Sequence, residues 1–107
     1  MMNSADFNKH LDAMQKITVD TLKVKAAEYA ANGDRLHNFR VAAAIEGKSK
    51  YAALGGMMAK HTVSVYDLLR YADEGREIPK ALWEEKIKDS INYLYLLWAM
   101  VNEEDKK

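Results

Sequence analysis

The segment from Ile91 to Val101 constrains the fold most, because it is apolar on nearly every side of a helix and only Asn92 interrupts it. Pro79 suits the first turn of a helix, where its missing N–H costs nothing, so we predict one helix over about 80–103. The apolar stretch is far shorter than the ~20 residues that a membrane span needs. A helix that is apolar all round has to be surrounded. Three partner helices in a chain of 107 residues can hardly cover it. We therefore predict an oligomer, most simply a twofold-symmetric dimer.

Three earlier helices are predicted from apolar residues that recur at spacings of three and four. Each has a polar residue suited to cap its first turn and a glycine suited to end it. These helices span about residues 5–31, 35–46 and 50–73, with Ser4, Asp34 and Ser49 as N-caps and Gly33, Gly47 and Gly75 as stops. No run alternates apolar and polar residues over a useful length, so we expect no sheet. The chain is predicted to be one all-α domain over 1–107, a four-helix bundle with 102–107 as a frayed tail.

The pair Gly55-Gly56 lies inside the third predicted helix. Two adjacent glycines there cost roughly 1–2 kcal/mol relative to alanine. One explanation is a close crossing with another helix, and the other is a kink that opens a pocket. The close crossing is the favoured interpretation.

The composition excludes several classes of function. The chain has no cysteine, which excludes a disulfide scaffold, a thiolate nucleophile and a cysteine-ligated zinc. Its 16 basic and 16 acidic residues give no net charge, which argues against general nucleic-acid binding. The N-terminus has neither a basic region nor an apolar core of a signal peptide. We therefore expect a cytoplasmic protein with no membrane segment.

A first cluster of polar residues surrounds the turn between the first two helices. It includes Arg35, His37 and Asn38, and cations beside the free N–H groups of a helix start would suit a phosphate. The alternative is an ordinary capped and solvated turn.

A second cluster lies on the third predicted helix. His61 falls in or beside the apolar stripe, where a histidine is more often a core or interface residue than a ligand. Lys60, Ser64 and Asp67 share another face, at spacings of four and three. Lys60 and Asp67 could flank a common ligand, or they could be ordinary surface charges.

A third cluster, on the fourth helix, consists of Glu85, Asp89 and Asn92 at spacings of four and three. Asp89 falls where the helix becomes fully apolar, so its carboxylate should be partly buried and should need a cation. That cation could be Lys60, an arginine of the first cluster or a bound metal. Carboxylate and amide oxygens would suit Mg²⁺.

Three stretches of the sequence resemble a known family. They are Glu28-Tyr29 with Gly33-Asp34-Arg35-Leu36-His37-Asn38-Phe39, Gly56-Met57-Met58-Ala59-Lys60-His61 with Val65-Tyr66-Asp67-Leu68, and Glu85 through Leu94. In order and spacing they resemble small phage-encoded MazG-like proteins of the all-α nucleoside triphosphate pyrophosphohydrolase superfamily. The most specific part is Asp89 followed, after two intervening residues, by Asn92-Tyr93-Leu94.

The resemblance implies a helical oligomer that holds Mg²⁺ on carboxylates of two helices. Such enzymes cleave a nucleotide between its α and β phosphates to a monophosphate and pyrophosphate. Better-known members carry an E-x-x-E pair on one helix and an E-x-x-D pair on a later one. Here Asp89 matches the aspartate, but Lys86 stands three residues before it, and Asp67 is the only carboxylate between Gly47 and Ala72.

Three hypotheses follow. The first is a Mg²⁺-dependent nucleotide pyrophosphohydrolase. Its catalytic residues would be Asp67 and Asp89, its metal ligands Asp67, Asp89 and Glu85, and its substrate contacts Lys60, His61, Arg35, His37, Asn38 and Asn92. The second is a catalytically inactive protein on the same fold that binds a nucleotide or a partner, such as a phage anti-defence protein. The third is a helical oligomer whose surface binds another protein, for example a host protein.

Overall fold

The computed structural model describes residues 1–29 and 33–103, with the side chains of 26–29 excepted, and these residues form four α-helices and no strand. The helices are α1 (Ser4–Tyr29), α2 (His37–Glu46), α3 (Lys50–Asp73) and α4 (Lys80–Glu103). The predicted all-α class is confirmed. Residues 30–32, which include the predicted end of the first helix, and residues 104–107 of the predicted tail lie outside the described residues. Asn102 and Glu103 are the last two residues of α4.

The helix ends follow local side-chain chemistry. Ser49 caps α3 as predicted, since the backbone N–H of Ala52 donates to its Oγ at 3.1 Å. Gly47 ends α2 in the left-handed conformation, with φ of 64°. The first helix differs from the prediction, because Asn3 rather than Ser4 accepts the Asp6 N–H, at 2.8 Å.

Asp34 does not cap α2, which begins at His37 and not at residue 35. Its Oδ1 instead accepts the N–H of Leu36 at 3.0 Å, while its backbone oxygen accepts the N–H of His37 at 3.2 Å. An aspartate that bonds the backbone two residues further on builds a turn. The helix therefore starts two residues later than the cap pattern predicts.

The core is small and lies where α2, α3 and α4 meet. α4 packs on α3 and on α1, and α2 packs on α3. The buried apolar cluster consists of Leu36, Phe39, Leu54 and Met100. Leu36 and Phe39 are both buried. Burial of this cluster fixes the turn and α2 against the middle of α3 and α4.

The glycine pair in α3 is not a close helix crossing. A Cβ added to Gly55 would meet nothing within 4 Å, and one added to Gly56 would meet only Lys48 Nζ, at 3.5 Å. α3 runs unbroken through both residues. Within the described residues no backbone approaches the pair closely enough to require glycine.

The chain is extended for its size. Its radius of gyration is 16.3 Å, whereas a compact domain of this length has one of about 13 Å. Phe7 and Leu11 on the predicted apolar face of α1 are more than half exposed, although Thr18 on the same face is buried. None of the described helices is long and apolar enough to cross a membrane.

Candidate functional site

A cleft of about 360 Å³ opens between the four helices, beside the buried cluster. Its lining comes from α1, the turn before α2, α2 itself, α3 and α4. The lining residues are Leu22, Lys25, Arg35, Asn38, Phe39, Met57, Lys60, His61, Asp89, Asn92, Tyr93 and Leu96. The cleft thus joins the three polar clusters that lie far apart in the sequence.

Six of the nine predicted site residues line this cleft, and three do not. Those that line it are Arg35, Asn38, Lys60, His61, Asp89 and Asn92. His37, Asp67 and Glu85 are not among the lining residues. Lys25, which also lines the cleft, could have been found from the sequence, because it occupies a position on the apolar face of α1.

Positive charge predominates in the cleft. Three cationic side chains, Lys25, Arg35 and Lys60, line it together with one carboxylate, Asp89, among the described side chains. Arg35 also connects two elements, since its Nη2 donates to the backbone oxygen of Leu22 at 3.3 Å. Lys60 is exposed and forms no ion pair with any described carboxylate. The cleft therefore has more cationic than anionic groups to offer a ligand.

His61 lies at the wall of the cleft between an acid and an aromatic ring. Its Nδ1 is 3.7 Å from Asp89 Oδ2, and its ring centroid is 4.8 Å from that of Tyr93. Burial is the main cause that lowers the pKa of His61 below 6.5, while Asp89 acts in the opposite direction. The imidazole is therefore mostly neutral at pH 7 and becomes protonated only on acidification.

Asn92 combines burial with an unpaired polar atom. The residue is 7% exposed, and its Oδ1 has no hydrogen-bond partner. Buried polar atoms in folded proteins are nearly always hydrogen-bonded. This oxygen is the one buried side-chain polar atom among the described residues that lacks a partner.

The predicted magnesium ligands are not brought together. Asp67 has a side chain 43% exposed, and its Oδ1 lies 3.6 Å from Arg70 Nη2 on the same helix. Glu85 is exposed on α4. Among the described side chains, those of residues 1–25 and 33–103, no three His, Asp or Glu are grouped so that they could hold a metal ion. Asp89 remains in the cleft without a second carboxylate from the predicted set.

A separate group of charged residues lies beside the cleft, and its side chains form ion pairs with one another. Arg40 Nε donates to Asp34 Oδ2 at 2.7 Å, and its Nη1 and Nη2 both donate to the Glu103 carboxylate, with Nη1–Oε1 at 2.9 Å. Lys50 Nζ donates to the same carboxylate at 3.0 Å. These pairs hold the pKa of Glu103 near 2, well below its ordinary 4.5. We call Asp34, Arg40, Lys50 and Glu103 the ion-pair network.

The sequence patterns do not predict this network. Arg40 falls in the first polar cluster, but Glu103 is 63 residues further along the chain. No local spacing signals such a pair.

The sequence and the structure were compared with protein-family models, with curated proteins and with solved structures, and none of the three comparisons found a match.

Proposed function

We propose that the cleft binds the phosphate groups of a nucleotide or a similar phosphorylated small molecule, without a metal ion. The observation that carries the proposal is that Arg35 and Lys60 line the cleft with Asp89 as the one carboxylate among the described side chains. Ammonium and guanidinium donors form strong, charge-assisted hydrogen bonds with phosphate oxygens. In a cleft with low-dielectric walls, such an excess also attracts anions from a distance.

The remaining lining suits the non-phosphate part of such a ligand. Leu22, Phe39, Met57 and Leu96 give the cleft apolar walls. Small-molecule sites typically combine apolar walls with a few polar groups that fix orientation. A nucleoside has both apolar faces and polar edges, and it fits this combination.

The resemblance to MazG-like pyrophosphohydrolases supports the choice of a nucleotide. Cleavage by those enzymes depends on Mg²⁺ held by several carboxylates, whereas Asp89 is the one carboxylate of the predicted set in this cleft. Asp67 is paired with Arg70 outside it. Binding without hydrolysis therefore agrees better with these residues than the Mg²⁺-dependent reaction does.

The substitution Asp89→Asn separates metal-free binding from Mg²⁺-dependent hydrolysis, because the two functions predict different results for it. Removal of the one negative charge should raise the affinity for pyrophosphate and nucleotides a few-fold in EDTA, since the carboxylate repels phosphate. In a metal-dependent enzyme the same substitution abolishes pyrophosphate release. The measurement is a calorimetric titration with each natural nucleotide and with pyrophosphate, together with a pyrophosphate-release assay in Mg²⁺.

Asp67→Asn is the matched control. It makes the same change of charge on a carboxylate that does not line the cleft, and it should leave both measurements unchanged. Pyrophosphate release that needs Mg²⁺ and is lost in Asp89→Asn would overturn the binding proposal. A wild-type protein that binds neither pyrophosphate nor any nucleotide would overturn both functions.

We propose further that a second copy of the chain covers the exposed apolar surface. Exposed apolar residues recur on one face of α4 at Ile87, Leu94, Trp98 and Val101, with Trp98 66% exposed. Their spacings of seven, four and three residues are those of a helix-packing seam.

The exposed area of the chain leaves room for a standard interface. The chain exposes 7713 Å², about 1,600 Å² more than the ~6,100 Å² typical of a compact monomer of 12.2 kDa. A standard protein interface buries about 800 Å² on each partner. The excess is large enough for the interface of a second copy.

The dimer is tested by sedimentation equilibrium. The wild type should have twice the mass of one 12.2 kDa chain, and Trp98→Lys should sediment as a monomer. Ile45→Lys places the same charge on an exposed apolar residue of α2 and serves as the control that stays dimeric. A monomeric wild type at micromolar concentration would contradict this proposal.

A further inference from the structure

The amide of Asn92 stands at the buried part of the cleft, one turn after Asp89 on α4. A side-chain amide carries two N–H donors and an oxygen that accepts hydrogen bonds. The Oδ1 of Asn92 is buried and accepts none. Since a buried acceptor without a donor costs free energy, each such atom in a folded protein calls for an explanation.

No described group donates a hydrogen bond to this oxygen. Phe39, Met57 and Leu96 share the lining and have no side-chain N–H or O–H. A leucine has the same branched shape and the same number of side-chain heavy atoms as asparagine, and it would place no unpaired polar atom at this position. The amide is therefore a cost to the ligand-free fold, and a ligand could offset it.

We infer that the Asn92 amide oxygen accepts a hydrogen bond from a neutral N–H or O–H of the bound ligand, and so selects ligands that carry a nucleoside over bare phosphates. The inference rests on the proposed function, because it places the phosphate at the cations and the neutral part of the ligand at Asn92. Lys60 is exposed and Asn92 is buried. The charged end of the ligand therefore lies toward the mouth of the cleft, and the hydrogen-bond donor lies inside.

Asn92→Leu tests the inference with two ligands and one stability measurement. The probes are pyrophosphate, which has no nucleoside, and the natural nucleotide that binds the wild type most tightly. Affinity for the nucleotide should fall about tenfold, as for the loss of one hydrogen bond in a buried site. Affinity for pyrophosphate should stay the same, and the melting temperature of the ligand-free protein should stay the same or rise.

Asn102→Leu is the matched control on the same helix. The Asn102 amide already donates to the backbone oxygen of Trp98 at 2.8 Å, and the residue does not line this cleft. Its substitution should leave the ratio of nucleotide to pyrophosphate affinity unchanged.

Ligand analogues identify the donor without relying on a variant. One analogue lacks the sugar hydroxyls, and another has its base N–H groups methylated. One of the two should bind the wild type about tenfold more weakly than the parent nucleotide. The same analogue should bind Asn92→Leu no more weakly than the parent does, because the accepting oxygen is then absent.

The outcomes separate this inference from the proposed function. If pyrophosphate binds but Asn92→Leu leaves the nucleotide preference intact, the inference is overturned and the anion site stands. A fall in the melting temperature of ligand-free Asn92→Leu would also overturn it, since the amide would then have a partner within the protein. If neither pyrophosphate nor any nucleotide binds the wild type, the proposed function and the inference fail together.

Discussion

Arg35 and Arg40 lie five residues apart, yet the structure uses them in different ways. Arg40 is enclosed by carboxylates, with Asp34 on one side of its guanidinium and Glu103 on the other. Arg35 lines a cleft in which Lys25 and Lys60 are also present and Asp89 is the one described carboxylate. The comparison teaches that the charge of a side chain matters less than the balance of charge around it. The ion-pair network links α2, α3 and α4, whereas the described lining of the cleft has more cationic side chains than carboxylates.

The comparison predicts that a cation of the cleft can be removed with a large effect on binding and little effect on stability. Lys60→Met should weaken pyrophosphate binding about 10- to 100-fold, as for the loss of a hydrogen bond to a charged group. The melting temperature of the ligand-free protein should hardly change, because Lys60 is exposed and forms no ion pair with a described carboxylate.

Lys23→Met is the control for this experiment, since Lys23 is an exposed lysine outside the cleft. It should leave the affinity for pyrophosphate at the wild-type value. Equal affinities of the wild type and Lys60→Met, measured by calorimetry, would show that the cleft is not the anion site.

Removal of a cation from the ion-pair network should have the reverse effect. Arg40→Met should lower the melting temperature and leave pyrophosphate affinity unchanged. The loss of unfolding free energy in Arg40→Met should be smaller than the loss of binding free energy in Lys60→Met. The reason is that the Arg40 and Glu103 side chains are 36% and 35% exposed, so water screens the pair.

The network also predicts how stability depends on pH. The pKa of Glu103 is about 2 in the folded protein against an ordinary 4.5. The folded state therefore binds fewer protons than the unfolded state between these values. The stabilisation is complete above pH 4.5 and is lost as the pH falls toward 2. In Arg40→Met this loss should be smaller. The measurement is the free energy of unfolding in urea from pH 6 to pH 2.5. A free energy that falls with pH as steeply in Arg40→Met as in the wild type would contradict the prediction.

The smallest expected effect concerns the pair Gly55-Gly56, which belongs neither to the cleft nor to the ion-pair network. Gly55→Ala should raise the free energy of unfolding by about 0.5–1 kcal/mol, because alanine favours the helix and an added Cβ meets nothing within 4 Å. The measurement is chemical denaturation at a fixed protein concentration. A destabilised variant would mean that a second copy packs against α3 at this position.

Much of the fold could be predicted from the sequence, because the signals are local. Ser49, Gly47 and Pro79 fix three helix boundaries through capping and backbone chemistry within a few residues. Asp34 misled the prediction because an aspartate can cap a helix or build a turn, and the tertiary position of Leu36 favours the turn.

The candidate site was less predictable, because it depends on contacts between helices. Helical spacing correctly placed His61 beside the apolar stripe, and Asp89 where it is partly buried. The same spacing also grouped Lys60 with Asp67, yet Asp67 pairs with Arg70 and does not line the cleft. The Arg40–Glu103 pair and the unpaired Asn92 oxygen depend on how distant segments pack, and no pattern within one helix reveals them.

The central claim is that phosphate binds in this cleft without a metal, and the imidazole of His61 reports on it directly. Burial holds the pKa of His61 below 6.5 in the ligand-free protein. A phosphate nearby would favour the protonated ring. An NMR titration of the histidine side chains in EDTA, with and without pyrophosphate or a nucleotide, measures this change. The account predicts that saturating ligand raises the pKa of His61, while the resonances of His10, which is exposed on α1, do not shift when ligand is added at constant pH. A His61 pKa that is the same with and without ligand, or that moves only when Mg²⁺ is added, would contradict it.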